Sequence, residues 1–334
     1  MEASQESNAT KKRMAIVRIR MGRITAVCVL ILLPVLLAFD SKTMAQNQPT
    51  AADKKPLVVP GEDKENSSAE ALQKATQNPV ASLISVPVQN NSNFNVGPYN
   101  RTQDVLNIQP VIPLKLNDQW NLITRIIQPI VWQPYPSQTT GGAYGLGDMN
   151  PSFFLSPGKP GKVIWGAGPA FVIPTATSDI LGQGKFSMGP SFVALAQPGH
   201  WTVGALVNNV FSVAGSTHRP YVNQMLLQYF INYNMKKGWY ITTQPILTAN
   251  WRASGGNAWT VPFGGGVGRI MKLGFQPVNL TAQFYGNAVY PTGTSPWNMR
   301  CQIAFLFPKL TREQEMRIMQ QRLKQMEQQQ PQKK

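Results

Sequence analysis

Two stretches of alternating polar and apolar residues, 223–234 and 239–252, flank a turn at Lys236–Gly238. Alternation over this length predicts two β-strands joined as a hairpin. Trp239 and Trp251 lie on the same face of the second strand, roughly 40 Å apart at ~3.3 Å per residue. A tilt of about 45° projects that distance to about 28 Å, close to the apolar band of an outer-membrane barrel. The hairpin therefore predicts a membrane-spanning sheet.

The same type of pattern recurs from residue 81 onward, separated by Gly, Pro and Asn. It predicts twelve strands, at 82–95, 104–116, 119–133, 147–157, 162–175, 186–198, 200–214, 223–234, 238–252, 259–272, 277–290 and 298–307. The connections between them alternate in length. Five short turns interleave with six longer links, at 96–103, 134–146, 176–185, 215–222, 253–258 and 291–297. This layout is typical of a transmembrane antiparallel β-barrel with short periplasmic turns, longer outer loops and both termini in the periplasm.

The tryptophans support a membrane location. All eight lie near predicted strand ends: Trp120, Trp165, Trp201 and Trp239 beside short turns, and Trp132, Trp251, Trp259 and Trp297 beside longer links. Amphipathic indole rings favour the interface between membrane and water. A soluble core would also hold tryptophans in the middle of strands. The chain therefore predicts two aromatic girdles.

Charge is sparse and concentrated at the chain ends. Only 14% of the residues are charged, against about 25% in a typical soluble domain. Residues 1–45 and residues 309–334 each hold seven basic and three acidic residues, which leaves +8 of the total +16 for the 263 residues between them. Those residues show no basic patch interleaved with aromatic side chains, so nucleic acid is not an expected partner.

Both chain ends differ from the predicted barrel, which covers 79–308. Residues 1–45 combine a basic region with the apolar run 24–39 and end at Ala45, which predicts a cleaved secretory signal; an uncleaved anchor is the alternative. Residues 46–78 are polar and predict a disordered linker, in which Ser67, Ser68 and Glu70 favour a short helix. Whether that helix hangs free or enters the lumen stays open. Residues 309–334 form a basic, Gln-rich stretch that predicts a helical tail, with a periplasmic partner as one role and simple exposure as the other.

Several blocks resemble a known family. NPVASLISVPVQNN (78–91), NFNVGPYNRTQDVLNIQPVIP (93–113), GLGDMNPSFFLSP (145–157), ALVNNVFSVAG (205–215), QYFINYN (228–234) and TVPFGGGVG (260–268) are similar to bacterial outer-membrane proteins labelled as a MetA pathway of phenol degradation. Members of that family are also catalogued as transporters, or misleadingly as neuromedin U. The resemblance covers about 78–308. It implies an outer-membrane barrel for uptake of small compounds, with aromatic or hydrophobic solutes as one candidate class, and it supplies no catalytic residues.

Chemistry finds little support in the sequence. The two histidines, His200 and His218, fall on opposite sides of the predicted membrane, and no G-x-S-x-G motif accompanies them. Only Cys28 and Cys301 are present, and the acidic residues of the predicted loops are scattered, so no metal or cofactor is expected. The glycines at 264–268 lack the strand-to-helix context of a phosphate loop and indicate close strand packing. We expect no enzyme; a barrel phospholipase is the distant alternative.

The remaining candidate site is the lumen. Polar residues alternate along the strands, and they predict a lining that is largely uncharged and faintly basic: Arg125, Gln224, Gln228, Asn232, Tyr240, Thr242, Gln244, Thr248, Asn250, Asn279, Gln283, Tyr285, Arg300 and Gln302. Two functions follow. One is passive passage of small, neutral or weakly anionic solutes across the outer membrane. The other is a non-conducting structural or interaction barrel, closed by hydrogen bonds among these side chains.

One strand fits this scheme poorly. The spacing of Trp120 and Trp132 places Gln128 on the lipid face and Arg125 inside. Because an amide in contact with lipid is unfavourable, a bulge or register shift is expected in that strand.

Overall fold

The structure of the protein is a computed structural model that describes residues 70–308. The predicted signal peptide, most of the predicted linker and the predicted C-terminal tail lie outside the described residues. A helix covers residues 70–76, at the place where the sequence predicts one. Within residues 70–308, no helix has the length and hydropathy needed to cross a membrane.

The strands of the described chain form a single antiparallel sheet, and two of its links hold short 3-10 helices, Lys236–Gly238 and Gly255–Asn257. Its strands are β1 (Ile84–Val96), β2 (Arg101–Ile108), β3 (Val111–Lys115), β4 (Trp120–Pro134), β5 (Gly142–Leu146), β6 (Asn150–Pro157), β7 (Val163–Val172), β8 (Lys185–Ala196), β9 (Trp201–Gly215), β10 (Asn223–Asn234), β11 (Trp239–Thr243), β12 (Ile246–Asn250), β13 (Trp259–Leu273), β14 (Gln276–Val289) and β15 (Trp297–Phe307).

The sheet closes on itself as a barrel. Each strand pairs with its neighbours in the chain, and β15 pairs with β1 from Ile84↔Phe307 to Phe94↔Trp297. Three pairs, β2 with β3, β5 with β6 and β11 with β12, are the two halves of one barrel strand because both halves pair along the same neighbours. The fifteen segments therefore form twelve barrel strands, which confirms the predicted all-β barrel.

Two of the three interruptions occur at proline. Pro110 separates β2 from β3, and Pro245 separates β11 from β12. Proline has no N–H to donate to the sheet, so the ladder is locally broken. On either side of the second break, Ile231 pairs with Thr243 and Gln228 pairs with Ile246. Two residues of each strand lie between these pairs, so the register is the same on both sides of the break.

The expected irregularity near Gln128 lies in the neighbouring strand, and its predicted position in β4 was wrong. Residues 128–129 of β4 face three residues, 147–149, between β5 and β6. The Gln128 Nε2 group donates to the carbonyl oxygens of Pro129 and Gly147, each at 3.1 Å. The amide thus bridges the backbones on the two sides of the interruption, and β4 keeps its register with β2 and β3.

The barrel has two distinct ends. Links β3–β4, β6–β7, β8–β9, β10–β11 and β13–β14 meet at one end, here called the short-turn end. Links β1–β2, β4–β5, β7–β8, β9–β10, β12–β13 and β14–β15 meet at the other, here called the long-link end. One prediction needs correction: the β1–β2 link, expected to be long, contains only residues 97–100. Asn95 and Asn100 adopt positive φ angles of 59° and 50° there, and Asn tolerates this conformation better than most residues. The tight turn is therefore built from asparagine as well as Gly97.

Apolar side chains cover the outside of the barrel. Ile241, Phe263 and Phe284 are each more than half exposed along the strands. Tryptophans lie towards both ends of this belt; Trp251 packs edge-on against Trp259 with ring centroids 5.4 Å apart, and Trp120 against Trp165 at 6.1 Å. Exposed apolar surface of this extent, bounded by aromatic rings, is typical of a lipid-facing barrel wall.

Candidate functional site: the barrel lumen

A cavity of about 950 Å³ occupies the lumen towards the long-link end. Strands from around the whole barrel contribute to its lining, and residues 180–183, 257–258 and 291–295 of three longer links form its rim. Arg125, Asp148 and Arg300 are the three charged residues among the described residues that line it. The cavity is therefore polar, weakly charged and large enough for a small organic solute.

The structure places the sequence-predicted lining residues at two levels. Seven of them line the cavity: Arg125, Gln224, Gln228, Thr248, Asn250, Tyr285 and Arg300. Five are buried inside the barrel: Asn232, Tyr240, Thr242, Asn279 and Gln283. Gln244 lies in the break between β11 and β12, and Gln302 lies opposite Gln89 and Thr281 in the sheet. The predicted set is thus one interior face, divided between an open level and a closed level.

Arg300 forms part of the cavity base. From β15, its Nη1 donates to the Gln244 carbonyl oxygen at 2.9 Å and its Nε to Asn91 Oδ1 at 3.0 Å. The guanidinium carbon lies 5.1 Å from the centroid of the Tyr285 ring. The Tyr285 hydroxyl is fixed in turn, since it donates to Gln283 Oε1 at 2.7 Å and accepts from the Gln244 N–H at 2.9 Å. Arg300 is therefore held in one orientation by neutral groups.

Arg125 enters the lumen from β4, on another part of the wall. Its Nη2 donates to Gln109 Oε1 at 3.1 Å. Gln109 lies in the Pro110 break, so the irregular backbone positions the acceptor. Arg125 and Arg300 thus place two like charges in the lining of the same cavity. Among residues 70–308, no carboxylate lies within 4.0 Å of either guanidinium.

One part of the wall is apolar, which the sequence interpretation missed. Leu206 and Val210 on β9, Leu226 on β10 and Ile246 on β12 all line the cavity. Polar alternation indicates a lumen face only in strands that carry amides or other polar side chains. Alternate residues in β9 gave the missing signal, since Leu206, Asn208 and Val210 share one face. The lumen is amphipathic as a result.

The longest link of the described chain folds over the cavity rim. The Asp148 carboxylate accepts hydrogen bonds from the backbone N–H groups of Gln183 at 2.6 Å and Ala176 at 3.2 Å. Arg219 donates to the carbonyl oxygens of Asp179, Gly182 and Gln183. These bonds tie residues 176–183 inward, and they occupy the one carboxylate that lines the cavity.

Residues 70–83, here called the plug segment, fill the lumen at the short-turn end. Gln73 is fully buried, and its Nε2 donates to the Trp239 carbonyl oxygen at 3.0 Å. Gln77 and Asn234 exchange two side-chain hydrogen bonds, at 2.7 and 3.2 Å. Gln197 Nε2 donates to the Lys74 carbonyl oxygen at 2.8 Å. The helix left open by the sequence therefore enters the barrel.

Apolar contacts complete the seat of the plug segment. Val80 joins a buried cluster with Phe154, Leu195 and Phe230. Leu83 joins a second cluster with the following side chains: Tyr240, Ile270, Ala304 and Leu306. A Cβ atom built on Gly166 of β7 would lie 3.1 Å from Val80 Cγ1, so the absence of a side chain there makes room for the plug segment.

The residues that the sequence offered for catalysis or metal binding do not come together at one site. His200 is exposed at the short-turn end, 6.1 Å from the Tyr233 ring by centroids, and His218 is exposed on the β9–β10 link at the long-link end. Within the described residues, no three His, Cys, Asp or Glu side chains are grouped to hold a metal ion. Gly268 lies directly against the Tyr240 ring, consistent with a packing role for the glycine run.

Comparisons with solved structures identify the same fold. The COG4313 outer membrane channel from Pseudomonas putida F1 is 15% identical, with a TM-score of 0.54 over 69% of this chain and 97% of that chain. The CymD monoaromatic hydrocarbon channel is 10% identical, with a TM-score of 0.41 over 72% and 93% of the two chains. The outer membrane phospholipase A from Escherichia coli is 14% identical, with a TM-score of 0.36 over 68% and 97%. At these identities the first likeness establishes a shared barrel fold, and the two lower scores carry no functional argument.

No protein-family model matches the chain, and no curated protein matches it. The phenol-degradation family therefore stays a prediction.

Proposed function

We propose that the protein is an outer-membrane barrel that gives small solutes passive passage through its lumen. The observation that carries this proposal is the cavity of about 950 Å³, open to the long links and lined by both amide and apolar side chains. A filled barrel of similar strand number would leave no such space. The channel named in the Pseudomonas putida structure has the same fold, which agrees with this function.

The exterior supports an outer-membrane location. Large apolar side chains such as Phe192 and Val207 are exposed in mid-strand, whereas the interior holds buried amides such as Asn232 and Asn279. This is the reverse of a soluble barrel, and lipid is the environment that stabilises it. The signal ending near Ala45 would deliver the chain, and a periplasmic partner for the 309–334 tail remains part of the proposal.

The plug segment is the main barrier to passage. Movement of a solute from the cavity to the short-turn end requires this segment to shift, since its side chains occupy the lumen there. Its polar attachment rests on a small number of hydrogen bonds, centred on Gln73, Gln77 and Lys74. Bonds of this kind contribute about 1 kcal/mol each. A displacement at modest cost is therefore physically accessible.

The amphipathic lining favours small aromatic or otherwise hydrophobic solutes that carry a polar group. Leu226 and Ile246 offer contact to an apolar body, and Gln224, Gln228 and Asn250 offer hydrogen bonds. An ion porin normally opposes acidic and basic residues across its constriction. Here basic residues face amides and a tyrosine, so general ion conduction is not the role we propose.

A second candidate function is a non-conducting barrel that serves structure or interaction. The filled short-turn half of the lumen favours it, because Tyr240, Asn279 and the plug segment leave the described interior closed at that level. Catalysis has no comparable support, and we propose that the protein is not an enzyme.

Solute efflux from liposomes separates the two candidates. The purified, folded protein is reconstituted into vesicles loaded with phenyl β-D-glucoside, a neutral aromatic solute whose sugar hydroxyls make it cross lipid slowly, and release is compared with that from protein-free vesicles. We expect release that scales with the amount of protein. A barrel that is heat-modifiable on gels, and thus folded, but gives no release above the lipid control would contradict passage and favour the second candidate.

A further inference from the structure

Two cationic side chains share the cavity without an acidic partner among residues 70–308. Arg300 is 8% exposed and Arg125 is part-buried, yet both reach the cavity surface. Removing a guanidinium from water is costly unless an anion or strong acceptors compensate it. The acceptors present are neutral: Asn91 Oδ1, Gln109 Oε1 and the Gln244 carbonyl oxygen. Two like charges that line the same cavity add to that cost.

The hydrogen-bonding capacity of these side chains is only partly used. A guanidinium carries five N–H donors. Arg300 makes two hydrogen bonds through Nε and Nη1, and Arg125 makes one through Nη2. Within residues 70–308, the other guanidinium nitrogens of Arg125 and Arg300 are not among the fully buried polar atoms that lack a hydrogen-bond partner. They are therefore available from the cavity.

The single carboxylate of the cavity lining does not supply the missing charge. Asp148 is engaged by two backbone N–H groups of the 176–183 link and forms no ion pair with either arginine. The net charge of the lining residues is thus positive. Arg300 is also pre-oriented by Asn91, Gln244 and the Tyr285 ring, which lowers the entropy lost when it binds a ligand.

We infer that this lumen contains a binding site for organic carboxylates, in which Arg125 and Arg300 bind the carboxylate and the wall of Leu206, Val210, Leu226 and Ile246 receives the apolar body. A planar guanidinium matches a carboxylate through paired hydrogen bonds. An inorganic anion would not cover the apolar wall, so an anion with an apolar body fits this cavity better. This inference rests on the proposed function, because the site lies on the proposed solute path. It specifies organic carboxylates as the solute class.

The test is direct binding by the full mature chain in non-ionic detergent. Equilibrium dialysis compares radiolabelled 4-phenylbutyrate with 4-phenylbutanol, a neutral molecule of similar size and shape. We expect the carboxylate to bind at least about tenfold more tightly than the alcohol, the difference expected for one charge-assisted pair. Equal retention of the two probes would overturn the inference without any substitution being made.

Substitutions assign the site. Arg125→Gln and Arg300→Gln should each weaken phenylbutyrate binding by about tenfold or more and leave phenylbutanol binding unchanged. Arg252→Gln is the matched control because Arg252 is exposed at the long-link end and does not line the cavity. Arg300→Lys, which keeps the charge but loses the fork, should bind with intermediate affinity. Unchanged phenylbutyrate binding in both Gln variants would contradict the assignment.

Two further measurements separate the sources of failure. At equal ionic strength, inorganic phosphate should displace no more phenylbutyrate than chloride does. Displacement of bound phenylbutyrate by micromolar phosphate would contradict the proposal and indicate a simple anion site. Release of the slowly permeating phenyl β-D-glucoside from liposomes reports on passage alone. Passage without carboxylate preference would overturn only this site, whereas carboxylate binding without any release would overturn only the proposed channel.

Discussion

The side chains of Gln77 and Asn234 pair through two reciprocal amide hydrogen bonds, although 157 residues separate them in sequence. Gln77 is 8% exposed and Asn234 4% exposed, so the pair is shielded from water. It joins the plug segment to the end of β10, next to the β10–β11 turn. This pair is the one reciprocal side-chain contact between the plug segment and the barrel wall among residues 70–308.

Breaking this pair should loosen the plug segment. In Gln77→Ala, the buried Asn234 amide loses its partner, at a cost of about 1–3 kcal/mol. We expect faster amide hydrogen exchange in residues 70–83 with unchanged exchange in the barrel strands. Gln119→Ala, a truncation of the same side chain in an exposed turn, serves as the control. Asn234→Ala combined with Gln77→Ala should cost less than the sum of the single changes, and strict additivity would show that the two amides act independently.

Close packing against β13 should make Gly268 intolerant of a side chain. A Cβ atom at this position would overlap the Tyr240 ring, whereas one at Gly256 would meet open space. Gly268→Ala should lower the free energy of unfolding by about 1–3 kcal/mol through overpacking. Urea unfolding in detergent, followed by tryptophan fluorescence, measures this. The control Gly256→Ala should leave the midpoint unchanged, and equal midpoints for the two variants would contradict the packing described here.

The Tyr240 hydroxyl should contribute to the closed level of the lumen. It donates to Asn279 Oδ1 at 2.8 Å in a site from which water is excluded. Tyr240→Phe removes the donor and leaves the Asn279 oxygen unsatisfied, so we expect a loss of about 1–3 kcal/mol in the same urea assay. Tyr221→Phe, on a side chain that is 70% exposed, is the matched control. Equal stability of Tyr240→Phe and the control would refute the assignment.

The tryptophans should report the two membrane interfaces. Trp201 and Trp251 are 47% and 46% exposed near opposite ends of the apolar belt. In vesicles of brominated phosphatidylcholine, we expect stronger quenching when bromine lies near the headgroup than when it lies near the end of the acyl chain, because indole rings prefer the interface. Stronger quenching from the bilayer centre would contradict the proposed position of the barrel in the membrane.

Alternation along the strands was sufficient to predict the barrel and its strand number. Each strand is specified locally by residues such as Tyr240 and Ile241, which point to opposite faces. The breaks at Pro110 and Pro245 are also visible in the sequence in principle, since proline cannot donate to the ladder. The pattern nevertheless predicts uninterrupted strands there, because the alternation continues unchanged across both breaks.

The lumen was less accessible to sequence analysis. The alternation of the strands predicted that Arg125 and Arg300 face the interior. Their positions within the lumen depend on contacts between distant strands, such as that of Arg300 with Gln244. The seat of the plug segment likewise depends on contacts such as Val80 with Phe230. Local pattern does not encode such contacts, so the sequence left the helix position open.

Passage of solutes through the lumen requires the plug segment to move, and a reversible lock on that segment tests this requirement. A Cβ atom at Gly166 would lie 3.1 Å from Val80 Cγ1, the position that a cysteine sulfur would occupy at residue 80. Cysteines whose side chains approach this closely can form a disulfide. The variant Val80→Cys, Gly166→Cys, prepared with Cys301→Ala to leave one thiol pair, therefore locks the plug segment to β7.

Release of phenyl β-D-glucoside from liposomes that contain this variant, before and after reduction, tests the requirement most directly. We expect low activity in the oxidised protein and recovery on addition of dithiothreitol, while each single-cysteine variant responds to neither treatment. Equal activity in the oxidised and reduced protein, with the disulfide verified by mass spectrometry, would contradict passage by movement of the plug segment.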